Sequence, residues 1–235
     1  MKNNYSRYLF ICLCFSLYSL ISSAQFRATY FERGFAEVRK GNYTKAVEYL
    51  NYSLSDREYY QAYFFRGYAK FQLGDLLGGE KDLTYCLWKV PTHKEALHYR
   101  AIVRSQLSNY EGAFKDFEKA ILYDSTNSEI YLNRAITQLS LEEYEAAIED
   151  CNQAIKLNKK DKKSVIIRAI AETELENYEV ALNDFNQVLK EDPFNQLALT
   201  HRAVCYRHME EFELAEDDLQ FILLKDSNNV DALLQ

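Results

Sequence analysis

The sequence predicts an all-α fold, a solenoid of stacked antiparallel helix hairpins, and three observations carry that expectation. One pattern recurs at a spacing of 33 or 34 residues, so that Tyr43, Leu76, Tyr110, Tyr144, Tyr178 and Phe212 hold the same place in six successive segments. Self-similarity at a fixed period of this size is the signature of a repeat architecture. Within each segment the apolar positions follow helical spacing, as Leu97, Ala101, Leu107, Tyr110, Ala113, Phe117 and Ala120 do in the third. Only 2 prolines and 7 glycines punctuate the 235 residues. That is too few for the turns of an all-β chain, and it suits helices joined by short polar connections.

The first 24 residues stand apart and have the three parts of an export signal. Lys2 and Arg7 form a positive start, Leu9 to Ile21 an apolar run, and Ser22 and Ala24 place small residues before a cleavage point expected between Ala24 and Gln25. A run of about a dozen residues falls short of the ~20 that span a bilayer as a helix; retention as an uncleaved anchor is the alternative. Cys12 and Cys14 lie inside this run and do not follow the pattern of a lipid-attachment cysteine. Removal of the segment leaves 26 basic and 35 acidic residues. An acidic balance of this kind repels nucleic acid and anionic lipid headgroups, and no spanning segment is expected in the mature chain. Cys86, Cys151 and Cys205 remain, an odd number on three different hairpins, which reads as buried thiols rather than a disulfide framework.

The six units divide as 27–59, 60–93, 94–127, 128–161, 162–195 and 196–229, with 230–235 a partial C-terminal helix. Small residues recur at two places in each unit: Gly34, Gly67, Ala101, Ala135, Ala169 and Ala203 at position 8, and Ala46, Gly79, Ala113, Ala147, Ala181 and Ala215 at position 20. They allow two helix axes to approach closely. Larger residues such as Tyr63, Tyr131, Leu199, Phe117 and Phe185 fill the space around that crossing. Polar turns such as Ser108-Asn109 and Asp124-Ser125-Thr126-Asn127 stop one helix and cap the next. A charged ladder runs through the same register. Arg33, Arg66, Arg100, Arg134, Arg168 and Arg202 occupy position 7, while Asp82, Asp116, Asp150, Asp184 and Asp218 occupy position 23 in units two to six. The expected role is pairing within or between neighbouring hairpins. An anion-binding row of arginines is the functional alternative.

This pattern resembles the tetratricopeptide repeat family, over nearly the whole chain after the signal. The resemblance implies a right-handed superhelix that binds proteins and is not an enzyme, with first helices lining a concave surface through positions 2, 5, 9, 12 and 13. Phe31, Phe35, Val38, Phe64, Tyr68 and Phe71 fall there in the first two units and His98 in the third. Exposed aromatic surface of this kind marks a partner site, the alternative being that Phe31 and Phe64 pack between neighbouring first helices. Some members of the family clamp a peptide carboxylate with lysine, asparagine and arginine. Here the corresponding positions hold His98, Ile102, Leu132, Ile136, Ile166, Ile170 and Val204, so the expected ligand is an apolar or amphipathic protein segment.

Chemistry beyond binding is sparse. His201, Cys205 and His208 stand at i, i+4 and i+7 of one helix and could hold zinc with Glu211 or water as a fourth ligand. Position 10 is ordinarily a small packed residue, so a core cysteine flanked by two surface histidines is the plainer reading. No glycine-rich phosphate loop, nucleophile elbow or His-Glu-x-x-His motif is present, and no cofactor is expected. At the other end, Leu233 and Leu234 can cover only part of the sixth hairpin, leaving the region of Phe221, Leu223 and Leu224 as a surface for a homodimer or partner. The expectation is an exported interaction scaffold, periplasmic or extracellular in a Gram-negative bacterium. The rival is a self-associating structural spacer of the envelope; a metal-dependent enzyme using the His and Cys residues of the sixth unit comes third.

Overall fold

A computed structural model describes residues 28–54 and 59–225. The proposed signal and the partial helix at 230–235 lie outside those residues. The described chain holds twelve helices and no strand: α1 over 28–39, α2 (Tyr43–Ser53), α3 (Tyr60–Gln72), α4 (Leu76–Lys89), α5 (Lys94–Gln106), α6 (Tyr110–Tyr123), α7 (Ser128–Leu139), α8 (Tyr144–Leu157), α9 (Lys162–Glu174), α10 (Tyr178–Glu191), α11 (Gln196–His208) and α12 (Phe212–Lys225). They pair as successive hairpins of the solenoid type. The chain forms two compact units, dividing after Ala120 within α6.

Side chains set the helix starts. Asp75, Asn109, Asn127, Asp161 and Asn195 each accept a hydrogen bond from a backbone N–H in the first turn of the helix that follows, at 2.9–3.1 Å. Each satisfies one of the donors that a helix N-terminus leaves without an internal partner. The helix ends inside each hairpin share one device at position 15. Gly41 and Gly74 adopt φ of 77° and 80° there, and Ser108, Glu142, Glu176 and Glu210 adopt 59–62°. Glycine enters that left-handed region freely, whereas the Cβ of a glutamate there crowds the following carbonyl oxygen.

The two helices of a hairpin meet where the small residues are. In the second hairpin a Cβ added to Gly67 would lie 3.0 Å from Leu83 and 3.2 Å from the Gly79 carbonyl oxygen. In the first, a Cβ on Gly34 would come within 2.6 Å of Leu50. Around these crossings large apolar side chains are buried: Leu50, Leu83, Phe117 and Phe185 have no exposed surface. Cys86, Cys151 and Cys205 are buried free thiols. Burial pushes the first two up to about 12 and Cys205 up to about 11, so all three stay protonated and act as small apolar side chains.

The ladder residues close the same crossings. Arg66, Arg100, Arg134, Arg168 and Arg202 each donate through Nε and Nη2 to both carboxylate oxygens of Asp82, Asp116, Asp150, Asp184 and Asp218, at 2.5–2.8 Å. Every pair lies within one hairpin. Four of the arginines also use Nη1 to reach back to the preceding hairpin, at Asn51, Thr84, Asn152 and Asn186. One guanidinium therefore ties the two helices of its hairpin together and stitches that hairpin to its neighbour. Lys70 and Arg104 add a second cation to Asp82 and Asp116. Gln138 holds the corresponding place in the fourth hairpin, and its buried amide oxygen has no hydrogen-bond partner.

Arg134→Ala would strand the buried Asp150 carboxylate without its fork. The expected loss is about 3 kcal/mol, read as a drop in Tm of roughly 6 °C or more for a chain of this size; an unchanged melting curve would remove the ladder from the stability account. Glu176→Gly acts in the opposite direction. Relief of the φ 62° strain is expected to raise stability by about 0.5–1 kcal/mol in chemical denaturation.

Candidate protein-binding surface

The first helices of the N-terminal unit carry a connected set of aromatic rings. Phe65 of α3 inserts between Phe31 and Phe35 of α1, at ring-centroid separations of 6.0 and 4.7 Å. One hairpin later the motif repeats: Tyr99 of α5 inserts among Phe64, Tyr68 and Phe71 of α3, at 6.3, 4.7 and 6.3 Å. Edge and tilted contacts at these distances each add to area burial. In α3 and α5 position 6 is thus the knob that fills the hollow between positions 5 and 9 of the first helix before it.

Exposure divides the aromatic set in two. Phe35, Phe65, Tyr68, Phe71 and Tyr99 keep part of their surface in solvent. Phe31 and Phe64 retain only 9% each, Phe31 beneath Tyr59 and Phe64 against His93. Those two are packing residues more than contact residues. His98 departs further from the sequence expectation: it is 4% exposed, stacked on Tyr99 and near Phe117, and offers a ligand almost nothing. Leu132, Ile166 and Ile170 of the C-terminal unit are likewise buried, while Ile136 is 40% exposed. The physical reason is that position 5 lies under a neighbouring side chain: Phe31 beneath Tyr59, Phe64 against His93 and His98 against Tyr99 and Phe117.

Two of the residues that matter most on this surface, Phe65 and Tyr99, were absent from the sequence expectation. Their signal was available as an aromatic at position 6 in consecutive units. Tyr68 also makes side-chain contacts with Tyr43 and Tyr99, and burial, followed by hydrogen bonding to Tyr43, pushes its phenol above the ordinary value. The hydroxyl remains a neutral donor at any physiological pH.

His201, Cys205 and His208 do not form a ligand set. Cys205 is fully buried with Sγ 3.5 Å from the Tyr178 carbonyl oxygen, and His208 is exposed and stacked on Tyr178 at 5.6 Å. His201 sits at position 6, where burial lowers its pKa. Among the described residues no group of three His, Cys, Asp or Glu side chains is placed to hold a metal ion. At the last hairpin Phe221 stacks on Phe194 at 4.9 Å, and the two are 38% and 50% exposed. Among the described residues no helix is long and apolar enough to cross a membrane.

His93 caps α5 by accepting the Ala96 N–H at Nδ1. That nitrogen also lies 3.2 Å from a Glu95 oxygen, a contact that would require it to be protonated. Burial lowers the His93 pKa more than Glu95 raises it, so the neutral capping form prevails.

Two segments match models described as tetratricopeptide repeat, residues 128–161 and 168–224. No curated protein matches the sequence. Among solved structures the chain is similar to a tetratricopeptide repeat protein from Parabacteroides merdae, with 21% identity over 88% of this chain and 83% of that one and a TM-score of 0.76. It is similar to Pseudomonas aeruginosa pilF, with 14% identity, coverage of 91% and 97% and a TM-score of 0.74. It also resembles YrrB, described as a TPR protein with an unusual peptide-binding site, with 20% identity, coverage of 82% and 96% and a TM-score of 0.61. Identities this low speak to the fold.

The two lowered histidines set a pH dependence. Because the folded-state pKa values of His93 and His201 lie below 6.5, the unfolded chain takes up protons at a higher pH than the folded one. The stability of the neutral rings is whole above about 6.5 and is lost as pH falls through that value toward the folded pKa. Tm should therefore fall between about pH 7.5 and 5.5, and His201→Gln should flatten the slope; a Tm unchanged by that substitution at every pH would exclude His201 from the effect.

Proposed function

We propose that this chain, which belongs to the tetratricopeptide repeat family, is an exported scaffold that holds an apolar or amphipathic segment of another protein against the first helices of its N-terminal unit. One observation carries the reading. The partly exposed rings of Phe35 and Phe65, and of Tyr68, Phe71 and Tyr99, form two groups on successive first helices that are joined through the buried ring of Phe64, and monomeric proteins rarely leave such surface without a partner. The rings are preorganised by contact with one another, so a ligand docking there loses its own freedom and requires little reordering of the protein. Aromatic anchors fixed on rigid helices are the residues that dominate interface energies.

Export rests on the first 24 residues, whose charged start, short apolar run and small-residue end have the order of a cleavable signal. A second reading, self-association through the last hairpin, is favoured by the exposed Phe194 and Phe221 pair.

The mature chain immobilised in an envelope extract is expected to retain a specific partner, and a Phe35→Ala, Tyr68→Ala, Phe71→Ala form to lose it by about 100-fold, at roughly 1 kcal/mol for each ring. Retention by the triple variant alongside loss in a Phe194→Ala, Phe221→Ala form would transfer the function to the last hairpin. Mass spectrometry of the protein recovered from the envelope should find Gln25 at its N-terminus; an intact Met1 form confined to the cytosol would remove export.

A further inference from the structure

The arginine ladder has one incomplete rung. In five hairpins the position-7 arginine grips a buried aspartate at position 23, but in the first hairpin Tyr49 stands where the acid would be. Among the described residues Arg33 has no ion pair and no hydrogen bond. It is exposed, and its guanidinium lies 5.5 Å from the centre of the Tyr30 ring. Tyr30 in turn contacts Tyr49 and Tyr52 at 6.1 and 5.1 Å, with Tyr52 50% exposed. The face of α1 that carries Tyr30 and Arg33 turns toward α2, whereas Phe31 and Phe35 meet Phe65 of α3. The two surfaces of α1 are distinct.

The next rung shows what such a site takes when filled. Arg66, also set over a tyrosine ring, Tyr63 at 5.3 Å, has both Asp82 oxygens on its Nε and Nη2 edge and Asn51 on Nη1. A guanidinium stacked face-on keeps its N–H edge free for a bidentate carboxylate. Stacking alone is worth about 0.5–1 kcal/mol at an exposed site and leaves those donors to water. The local charge permits an acid to approach: residues 28–120 contain 14 basic and 12 acidic side chains, against 11 and 21 over 121–225.

We propose that Arg33, set over Tyr30, whose ring meets Tyr52, is a docking site for a carboxylate side chain carried beside an aromatic residue on an acidic segment of a partner protein. The carboxylate completes the fork that Asp82 completes one hairpin later, and the aromatic neighbour packs on the exposed face of Tyr52. The site stands on residues separate from the ring strip of Phe35 and Tyr68, so either can fail without the other.

The test titrates the isotopically labelled chain with the blocked peptide acetyl-Gly-Glu-Phe-Gly-amide and with its Gln counterpart. The Glu peptide is expected to shift the Arg33 Nε–H resonance and to bind about fivefold more tightly than the Gln peptide, the worth of one exposed charge-assisted pair. Arg33→Gln should abolish the difference. Tyr49→Asp, which supplies the acid from within the hairpin, should abolish it too and should raise Tm. Equal binding of the two peptides, or a Glu preference that survives in Arg33→Gln, overturns the proposal. Concentration-dependent self-association that disappears in Arg33→Gln would give the site to a second copy of this chain and overturn the foreign partner.

Discussion

Everything in this fold depends on how closely two helices of a hairpin can cross. At positions 8 and 20 the side chains are glycine or alanine, and in the second hairpin Gly67 approaches the Gly79 carbonyl so nearly that an added Cβ would sit 3.2 Å from it. Close-packed interiors tolerate little error in volume. The large residues Leu83, Phe117 and Phe185 are fully buried at the flanks of the crossings. The arginine forks follow from the same constraint. A guanidinium on the first helix reaches a buried aspartate on the second only when the axes are near, and the bidentate geometry then holds the pair at a fixed angle.

The forks also explain how hairpins join. A hydrophobic contact between neighbouring helices is not directional, and it would allow one hairpin to slide along the next. Arg66, Arg100, Arg168 and Arg202 each add a hydrogen bond to position 25 of the preceding hairpin. That bond fixes the register. Because the aspartates are buried, their contribution lies in specifying one arrangement as much as in net stability. The first hairpin, which has Tyr49 in place of the acid, shows what happens when the partner is withheld: the arginine lies exposed over an aromatic ring.

The aromatic strip arises from the way first helices stack. In α3 and α5 position 6 fills the hollow between positions 5 and 9 of the first helix before it, and the residues in that role are Phe65 and Tyr99. In the C-terminal unit position 6 holds Asn133, Ile167 and His201, and Ile166 and Ile170 are buried while Ile136 is 40% exposed. Aromatic rings are too large to disappear completely at such a junction, so part of each remains in water. Position 6 is partly exposed in both units, as Phe65 and Tyr99 in the first and as Ile167 and His201 in the second.

The residue spacing alone determined the helices, their pairing into hairpins, the small-residue crossings and the members of the arginine and aspartate ladder, because each is set by local periodicity and repeats at fixed intervals. A helix-facing residue can be recognised from its register whether or not its neighbours are known. Only the tertiary structure decided which of those residues face water. His98, Phe31 and Phe64 stand at the register of a binding surface and are packed away, and His201, Cys205 and His208 share a helix and yet have separate surroundings. Burial of a side chain depends on the size of the residue that the next helix brings against it, a quantity that no single repeat contains.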